Sequence, residues 1–272
     1  MKRFIVILLC IMSSSLHASP LDFFEGLEPP IVVLIQTNPW AMVIGADTPL
    51  IAVYEDGTVL FLKRVGEREI YHRKNLSATE LSAFRERLKP ATDLKNLKRF
   101  YSLHPQGTDQ PETQFYFRDG SRELTTRIYG LRAATKNTPT FPVSPGKQEP
   151  DAVPDELIEL HRFLCAVDYS DSKEWTPRYV EVMAWPYEYA PDTSIVWPKD
   201  WPGLNSGRSF KRGDSYSIFL DGSLLPDLQK FLQTRKEKGA IEIGGKKWAV
   251  SYRYTFPGEP MWRMAFYRKE EK

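Results

Sequence analysis

The sequence has 272 residues, of which 42% are hydrophobic, and it carries 37 Lys and Arg residues against 35 Asp and Glu residues. This composition excludes a disordered chain, a collagen and a coiled-coil rod, and a formal net charge of +2 disfavours an obligate nucleic-acid-binding protein. The length favours one large domain or two modest ones, each able to bury a sizeable core.

Residues 1–18 have the pattern of a secretory signal peptide. A basic pair is followed by an unbroken apolar run, residues 4–12, and then by a small, mostly polar segment. The apolar run is shorter than the roughly 20 residues that span a bilayer. We expect cleavage after Ala18, with a cut after Ser15 as the alternative. The mature protein is then periplasmic or secreted and has no membrane span.

Removal of the signal peptide changes the charge balance and the cysteine content. It takes away two basic residues and no acid, which leaves 35 residues of each sign. It also removes Cys10, so that Cys165 is the only thiol of the mature chain. No intrachain disulfide is therefore expected, even in an oxidising compartment.

The next segment, residues 19–170, predicts an N-terminal lobe that begins with strands. An apolar strand is expected at residues 31–35. A hairpin follows at residues 51–62, with its turn at Asp56-Gly57, a dipeptide that accepts the positive φ angles of a tight turn. A third strand is expected at residues 69–74.

A helix and a second hairpin follow these strands. Ser77 and Glu80 have the spacing of a capping box, which marks the start of a helix, and Pro90 is expected to stop it. The second hairpin is predicted at residues 113–130, with its turn at Asp119-Gly120.

Prolines then crowd residues 138–154, which we interpret as an extended surface connection. A helix at residues 155–167 is expected to close the first lobe.

Residues 171–272 predict a C-terminal lobe. The fold class is therefore α+β, with two similar lobes that each have a mainly antiparallel sheet of hairpins and one or two packed helices.

The C-terminal lobe repeats the order of elements seen before. Strands are expected at residues 179–185 and 216–220, and Pro226 suits the first turn of a helix. A hairpin is predicted around Gly244-Gly245, and residues 262–268 are the expected last strand.

Motifs for nucleotide, zinc-protease, calcium or serine-hydrolase chemistry do not occur in the sequence. His161 and Cys165 lie four residues apart on one predicted helix, a spacing that suits two metal ligands. Zinc needs three or four ligands, and the other histidines of the mature chain fall in different elements. We therefore predict no metal and no cofactor, with Cys165 packed as a small hydrophobe.

The most unusual segment is the aromatic- and proline-rich loop at residues 185–202. Prolines stiffen such a loop, and its flat aromatic rings can stack on sugars or fill a pocket of a partner. The alternative is that these rings pack on each other and seal the lobe. The candidate binding residues are Trp185, Tyr187, Tyr189, Trp197 and Trp201.

Carboxylates in and near this loop give weaker candidates for catalysis. A pair of them, 5–9.5 Å apart across a cleft, would suit a glycosidase. The candidates are Glu188, Asp192, Asp200 and Glu181.

The sequence thus favours an exported, non-enzymatic binding protein of the bacterial envelope, with a protein or glycan partner and no nucleic acid. A cell-wall or polysaccharide hydrolase that uses the loop carboxylates is the first alternative. An inhibitor or immunity-type module is the second.

Overall fold

The computed structural model describes residues 19–24, 26, 29–43, 45–66, 68–131 and 149–268. The predicted signal peptide lies outside these residues, as does most of the predicted proline-rich connection. The described residues form an α+β protein that contains two mixed sheets. Within them, no helix has both the length and the apolar character that a membrane span requires.

The helices are α1 (Ala78–Thr92), α2 (Asp155–Cys165), α3 (Leu225–Gln233) and α4 (Glu259–Ala265). The strands of the first sheet are β1 (Pro30–Gln36), β2 (Ile51–Tyr54), β3 (Thr58–Val65), β4 (Arg68–Asn75), β5 (Phe100–Ser102), β6 (Glu112–Asp119), β7 (Arg122–Tyr129) and β8 (Lys173–Glu174). The strands of the second sheet are β9 (Tyr179–Pro186), β10 (Asp192–Val196), β11 (Ser209–Arg212), β12 (Ser215–Asp221), β13 (Gly239–Ile243) and β14 (Lys246–Tyr254).

The first sheet has the strand order β5-β7-β6-β1-β2-β3-β4-β8 and the second has the order β10-β13-β14-β9-β12-β11. Each sheet is antiparallel except for one pair, β5 with β7 in the first and β10 with β13 in the second. The three hairpins predicted from glycine turns are confirmed as β2–β3, β6–β7 and β13–β14.

The turn between β2 and β3 also fixes the start of α1. Gly57 has a φ angle of +84°, and its carbonyl accepts a hydrogen bond from the Leu76 N–H at 2.8 Å. Leu76 directly precedes Ser77, the N-cap of α1, whose capping box is present as predicted. The helix is therefore joined to the hairpin through Gly57.

Replacement of Gly57 by alanine is expected to lower the free energy of unfolding by about 2 kcal/mol. The left-handed backbone costs an L-residue about 1 kcal/mol, and the new Cβ would also lie 2.6 Å from the Leu76 carbonyl oxygen. Gly66→Ala is the matched control, because Gly66 has a φ angle of +63° and an added Cβ there has no atom of the described residues within 4 Å beyond its chain neighbours. Equal urea-denaturation midpoints for the two variants would contradict the role of the Leu76 contact.

Two sequence-based expectations about local structure are wrong. Pro90 does not stop α1, which runs on to Thr92. The backbone bond that Pro90 lacks falls in the last turn, where burial of Ala91 against the core offsets the loss. Residues 262–268 are not a strand, because Pro260 in the first turn and burial of Trp262 favour the helix α4.

The loop predicted at residues 185–202 is interrupted by a strand. Residues 192–196 form β10, which lies at the edge of the second sheet beside β13. Sequence patterns did not indicate this strand, since its partner lies more than 40 residues further along the chain.

Packing places the first sheet between the two long helices and the C-terminal half of the chain. On one face, α1 and α2 contribute Phe84, Leu88 and Leu160 to the core. On the other face, Val33 and Tyr116 belong to a cluster that includes buried side chains from the C-terminal half, namely Val180, Tyr254, Phe256 and Trp262. The two sheets are thus joined by a shared core.

Both ends of the described chain contact the opposite half of the molecule. Phe23 stacks on Phe219 of β12, with ring centroids 4.5 Å apart. Arg99, just before β5, donates hydrogen bonds to the carbonyls of Ala265 and Arg268. Strand β8 pairs with β4 although it follows residue 170, so residues on either side of that position share one sheet.

Candidate functional site

The central strand of the second sheet, β9, presents different residues on its two faces. Val180, Val182 and Ala184 are buried in the core. Because side chains alternate along a strand, Glu181, Met183 and Trp185 project to the opposite face. Each has a partner in register on β14, as Arg253 with Glu181, Ser251 with Met183 and Ala249 with Trp185. This second face carries the features described below.

The loop between β1 and β2 covers part of this face. A Cβ added at Gly45 would lie 3.8 Å from the Met183 methyl group, so the loop contacts the middle of β9. Two hydrogen bonds shape the loop: Asn38 N–H donates to the Asp47 carboxylate at 2.8 Å, and Trp40 N–H donates to the Asn38 side chain at 2.9 Å. Burial raises the pKa of Asp47, and the Asn38 bond and Arg263 oppose this shift.

A cavity of about 500 Å³ opens where this loop, the end of β9 and the segment after α3 meet. We call it the aromatic cleft. Its lining residues are Trp40, Met42, Trp185, Pro186, Tyr187, Tyr189, Arg235, Glu237, Lys238 and Ala249. The small side chain of Ala249, paired in register with Trp185, leaves room beside the indole.

The aromatic rings at the rim of the cleft are unusually exposed. Trp40 has 75% of its surface accessible and Tyr189 has 81%. Tyr187 and Tyr189 lie in a turn after β9, closed by a 3.2 Å hydrogen bond from Ala190 N–H to the Tyr187 carbonyl, and their rings meet edge to face at 4.9 Å. The Tyr187 N–H donates to the Lys247 carbonyl, which holds this turn on the sheet.

The five aromatic residues predicted to form one binding surface are divided between two environments. Trp185, Tyr187 and Tyr189 line the cleft. Trp197 is 5% exposed and meets both Trp201 and Phe231 of α3 edge to face, and its indole N–H donates to the Pro202 carbonyl at 3.1 Å. Trp197 and Trp201 thus pack with the core of the second sheet.

Of the four carboxylates predicted as weak catalytic candidates, Glu181 is fully buried. Arg253 contacts one of its oxygens at 2.5 Å, and Arg212 at 3.2 Å and the Ser217 hydroxyl at 2.5 Å contact the other. Burial by itself raises a carboxyl pKa, but Arg253, Arg212 and Ser217 outweigh it and hold the pKa of Glu181 below its usual value. A carboxylate held in this way suits structure better than proton transfer.

The other three carboxylates do not line the aromatic cleft. Asp192 accepts a 3.0 Å hydrogen bond from the Lys238 N–H, which fixes β10 to the segment after α3. Glu188 and Asp200 are exposed. Among the residues that the structure describes, the cleft is lined by one carboxylate, that of Glu237, so these residues do not assemble the paired acid and base of a glycosidase there.

The prediction that Cys165 packs as a small hydrophobe is wrong, because the buried side chain of this pair is that of His161. His161 is 1% exposed and Cys165 is exposed, and His161 Nε2 lies 3.5 Å from Cys165 Sγ. Across the described ranges, no group of three or more His, Cys, Asp or Glu side chains has the arrangement of a metal site.

The sequence analysis missed part of the cleft because those residues come from distant segments. Trp40 and Met42 belong to the β1–β2 loop, and Arg235 and Lys238 follow α3. One local signal existed: Asn38-Pro39 marks a turn, which places the tryptophan directly after it in a loop. Nothing local indicated that this tryptophan lines the same cleft as Trp185.

Comparison with family models, with curated proteins and with solved structures gives no match for this chain. The fold defines the class of protein as α+β with two sheets. Inferences about function therefore depend on the chemistry of the cleft.

Proposed function

We propose that this protein is an exported, non-enzymatic binding protein of the bacterial envelope that binds a saccharide in the aromatic cleft. One observation carries the proposal: aromatic side chains from two distant segments surround a cavity of about 500 Å³. Pockets for small ligands have this size, an apolar and aromatic lining, and a few polar groups. Export is supported by the signal-peptide pattern of residues 1–18.

The exposure of the rim favours a ligand with flat apolar faces and polar edges. Trp40 and Tyr189 are mostly exposed at the rim of one cleft, so a ligand that covers both rings would gain by burying their apolar surface. A sugar ring offers a C–H face to an aromatic ring, and its hydroxyls suit the charged side chains at the edge, Glu237 and Lys238. A protein partner needs about 800 Å² on each side, much more than one concave pocket supplies.

Truncation of the rim residues tests this proposal. Trp40→Ala and Tyr189→Ala are each expected to weaken saccharide binding about tenfold, because each removes a ring that covers the ligand. Both side chains are exposed, so the fold is retained. The measurement is retention of the purified protein on peptidoglycan and on neutral and acidic polysaccharides, followed by calorimetric titration with oligosaccharides of the retained type.

Tyr267→Ala is the matched control, since Tyr267 is 85% exposed and does not line the cleft. It is expected to bind as the unchanged protein does. Failure of the unchanged protein to bind any saccharide, or equal binding by the rim variants and the control, would overturn the proposal. Capture of one envelope protein with no saccharide bound would also overturn it and would favour a protein partner.

A further inference from the structure

Arg235, in the wall of the aromatic cleft, is a cation that has no carboxylate partner among the residues that the structure describes. Its Nη1 contacts the Met42 thioether sulfur and lies 3.4 Å from the Gly239 carbonyl oxygen. Its Nε is buried and has no hydrogen-bond partner among the described residues. A thioether and a distant carbonyl satisfy a guanidinium poorly, because both are weak acceptors compared with a carboxylate.

Two arginines of the second sheet and its flanking segments, in contrast, have carboxylate partners. Arg253 is paired with Glu181 and Glu259, and Arg208 contacts Asp221 at 2.6 Å. Glu237 lines the same cleft as Arg235, but the two do not form an ion pair. Asp192, an acid that contacts the same segment, already accepts the Lys238 N–H.

The environment of Arg235 makes its charge costly in the absence of a ligand. Burial lowers the pKa of Arg235, and the oxygen of Tyr187 opposes this shift. A half-buried cation that has lost part of its hydration gains most from an anion that enters the same space. The cleft leaves that space open beside the rings of Trp185 and Tyr187.

We propose that the ligand of the aromatic cleft is an acidic saccharide, whose carboxylate pairs with Arg235 while its ring lies against the aromatic side chains. This inference rests on the proposed function and names the chemical class of its ligand. A single negative charge fits the cleft better than a phosphate dianion, because the described lining has one guanidinium and Glu237 repels excess negative charge. Lys238 at the edge adds a second, exposed cation.

Two pairs of disaccharides, each matched in size, test the carboxylate. The first pair is N-acetylglucosaminyl-N-acetylmuramic acid with neutral N,N′-diacetylchitobiose, and the second is digalacturonic acid with its dimethyl ester. The first acid represents peptidoglycan and the second a uronic-acid polysaccharide, so the two arms distinguish the sources. The unchanged protein is expected to bind at least one acid about tenfold more tightly than its neutral partner.

Arg235→Met is expected to abolish this preference and to change the affinity for the neutral sugar less than about threefold, since the apolar stem is retained. Arg235→Lys, which keeps the charge but loses the planar fork, should retain part of the preference. Lys236→Met is the matched control, because Lys236 is exposed, adjacent and outside the cleft lining. Calorimetric titration at low salt, with circular dichroism of each variant, is the measurement.

The outcomes separate the two proposals. Equal binding of acid and neutral sugar, with both weakened by Trp40→Ala, would overturn the acidic ligand and leave the saccharide-binding function in place. A preference for acid that persists in Arg235→Met would overturn the role of Arg235. Failure of all four disaccharides to bind would overturn the acidic ligand, and failure to bind peptidoglycan and the polysaccharides as well would overturn both proposals.

Discussion

Replacement of Arg253 by methionine is expected to lower the free energy of unfolding by about 3–5 kcal/mol. Arg253 is 6% exposed and joins two fully buried carboxylates, Glu181 on β9 and Glu259 at the start of α4. Methionine keeps the apolar volume and leaves Glu181 and Glu259 with fewer compensating charges. The cost arises because a buried carboxylate that loses its partner cannot recover hydration. Urea denaturation at neutral pH measures the effect.

The ionic contacts around Arg253 extend to α4 and to the loop that supports the cleft. Arg263 donates to Glu259 at 2.5 Å and to the Asp47 carbonyl oxygen at 2.8 Å, and Glu259 also accepts the Phe256 N–H at 3.0 Å. The Asp47 carboxylate in turn accepts the Asn38 N–H, and the Asn38 side chain accepts the Trp40 N–H. The Arg253 variant is therefore expected to disturb the β1–β2 loop as well as global stability.

Arg64→Met is the control for the Arg253 prediction. Arg64 pairs with Glu69 at the surface, where its side chain is 76% exposed, so the loss is expected to stay within about 1 kcal/mol. A double-mutant cycle of Arg253→Met with Glu181→Gln adds a second test, because the double variant should lose less than the sum of the single losses. Equal small losses for Arg253→Met and Arg64→Met would contradict a structural role for the buried pair.

Local sequence signals predicted much of the architecture because the interactions that they describe are local. The turns at Asp56-Gly57 and Asp119-Gly120 and the capping box at Ser77 depend on residues a few positions apart, and all three are present. The short edge strands β5 and β8 were not predicted, because each is defined by a pairing with a distant strand.

The residues of the aromatic cleft show the same difference between local signals and tertiary packing. Trp185, Tyr187 and Tyr189 were candidates because they are concentrated in one segment, but Trp40 and Arg235 reach the cleft only through tertiary packing. The aromatic segment could not be divided from its sequence either. Trp197 lies under α3 because β10 pairs with β13, and that parallel pairing has no signal in the local pattern.

Acid is expected to destabilise the protein through His161, and His161→Phe should remove about 3 kcal/mol of that loss between pH 7 and pH 4. His161 on α2 is 1% exposed, with its ring 6.3 Å from that of Phe115. Burial, with a smaller effect of Arg162, lowers the pKa of His161 to about 4. In the unfolded chain, a histidine has its ordinary pKa of about 6.5.

The direction of the effect follows from proton binding in the two states. Between about pH 6.5 and pH 4, His161 binds a proton in the unfolded chain but stays neutral in the folded protein. The free energy of unfolding therefore falls as the pH is lowered through this window. Above it, His161 is neutral in both states and its contribution is constant. Phenylalanine has a similar shape and cannot be protonated. The variant therefore lacks the contribution of His161 to the pH dependence of stability, while every other titrating group is retained.

Urea denaturation of both proteins at several values between pH 7 and pH 4 measures the difference. Cys165→Ser is the matched control: it changes the exposed side chain beside His161 and keeps the imidazole, so its pH dependence should follow that of the unchanged protein. If the curves for His161→Phe and the unchanged protein run parallel across this window, His161 does not titrate as its burial requires. A steeper loss in the unchanged protein alone identifies His161 as an acid-sensitive group of the core beneath α2.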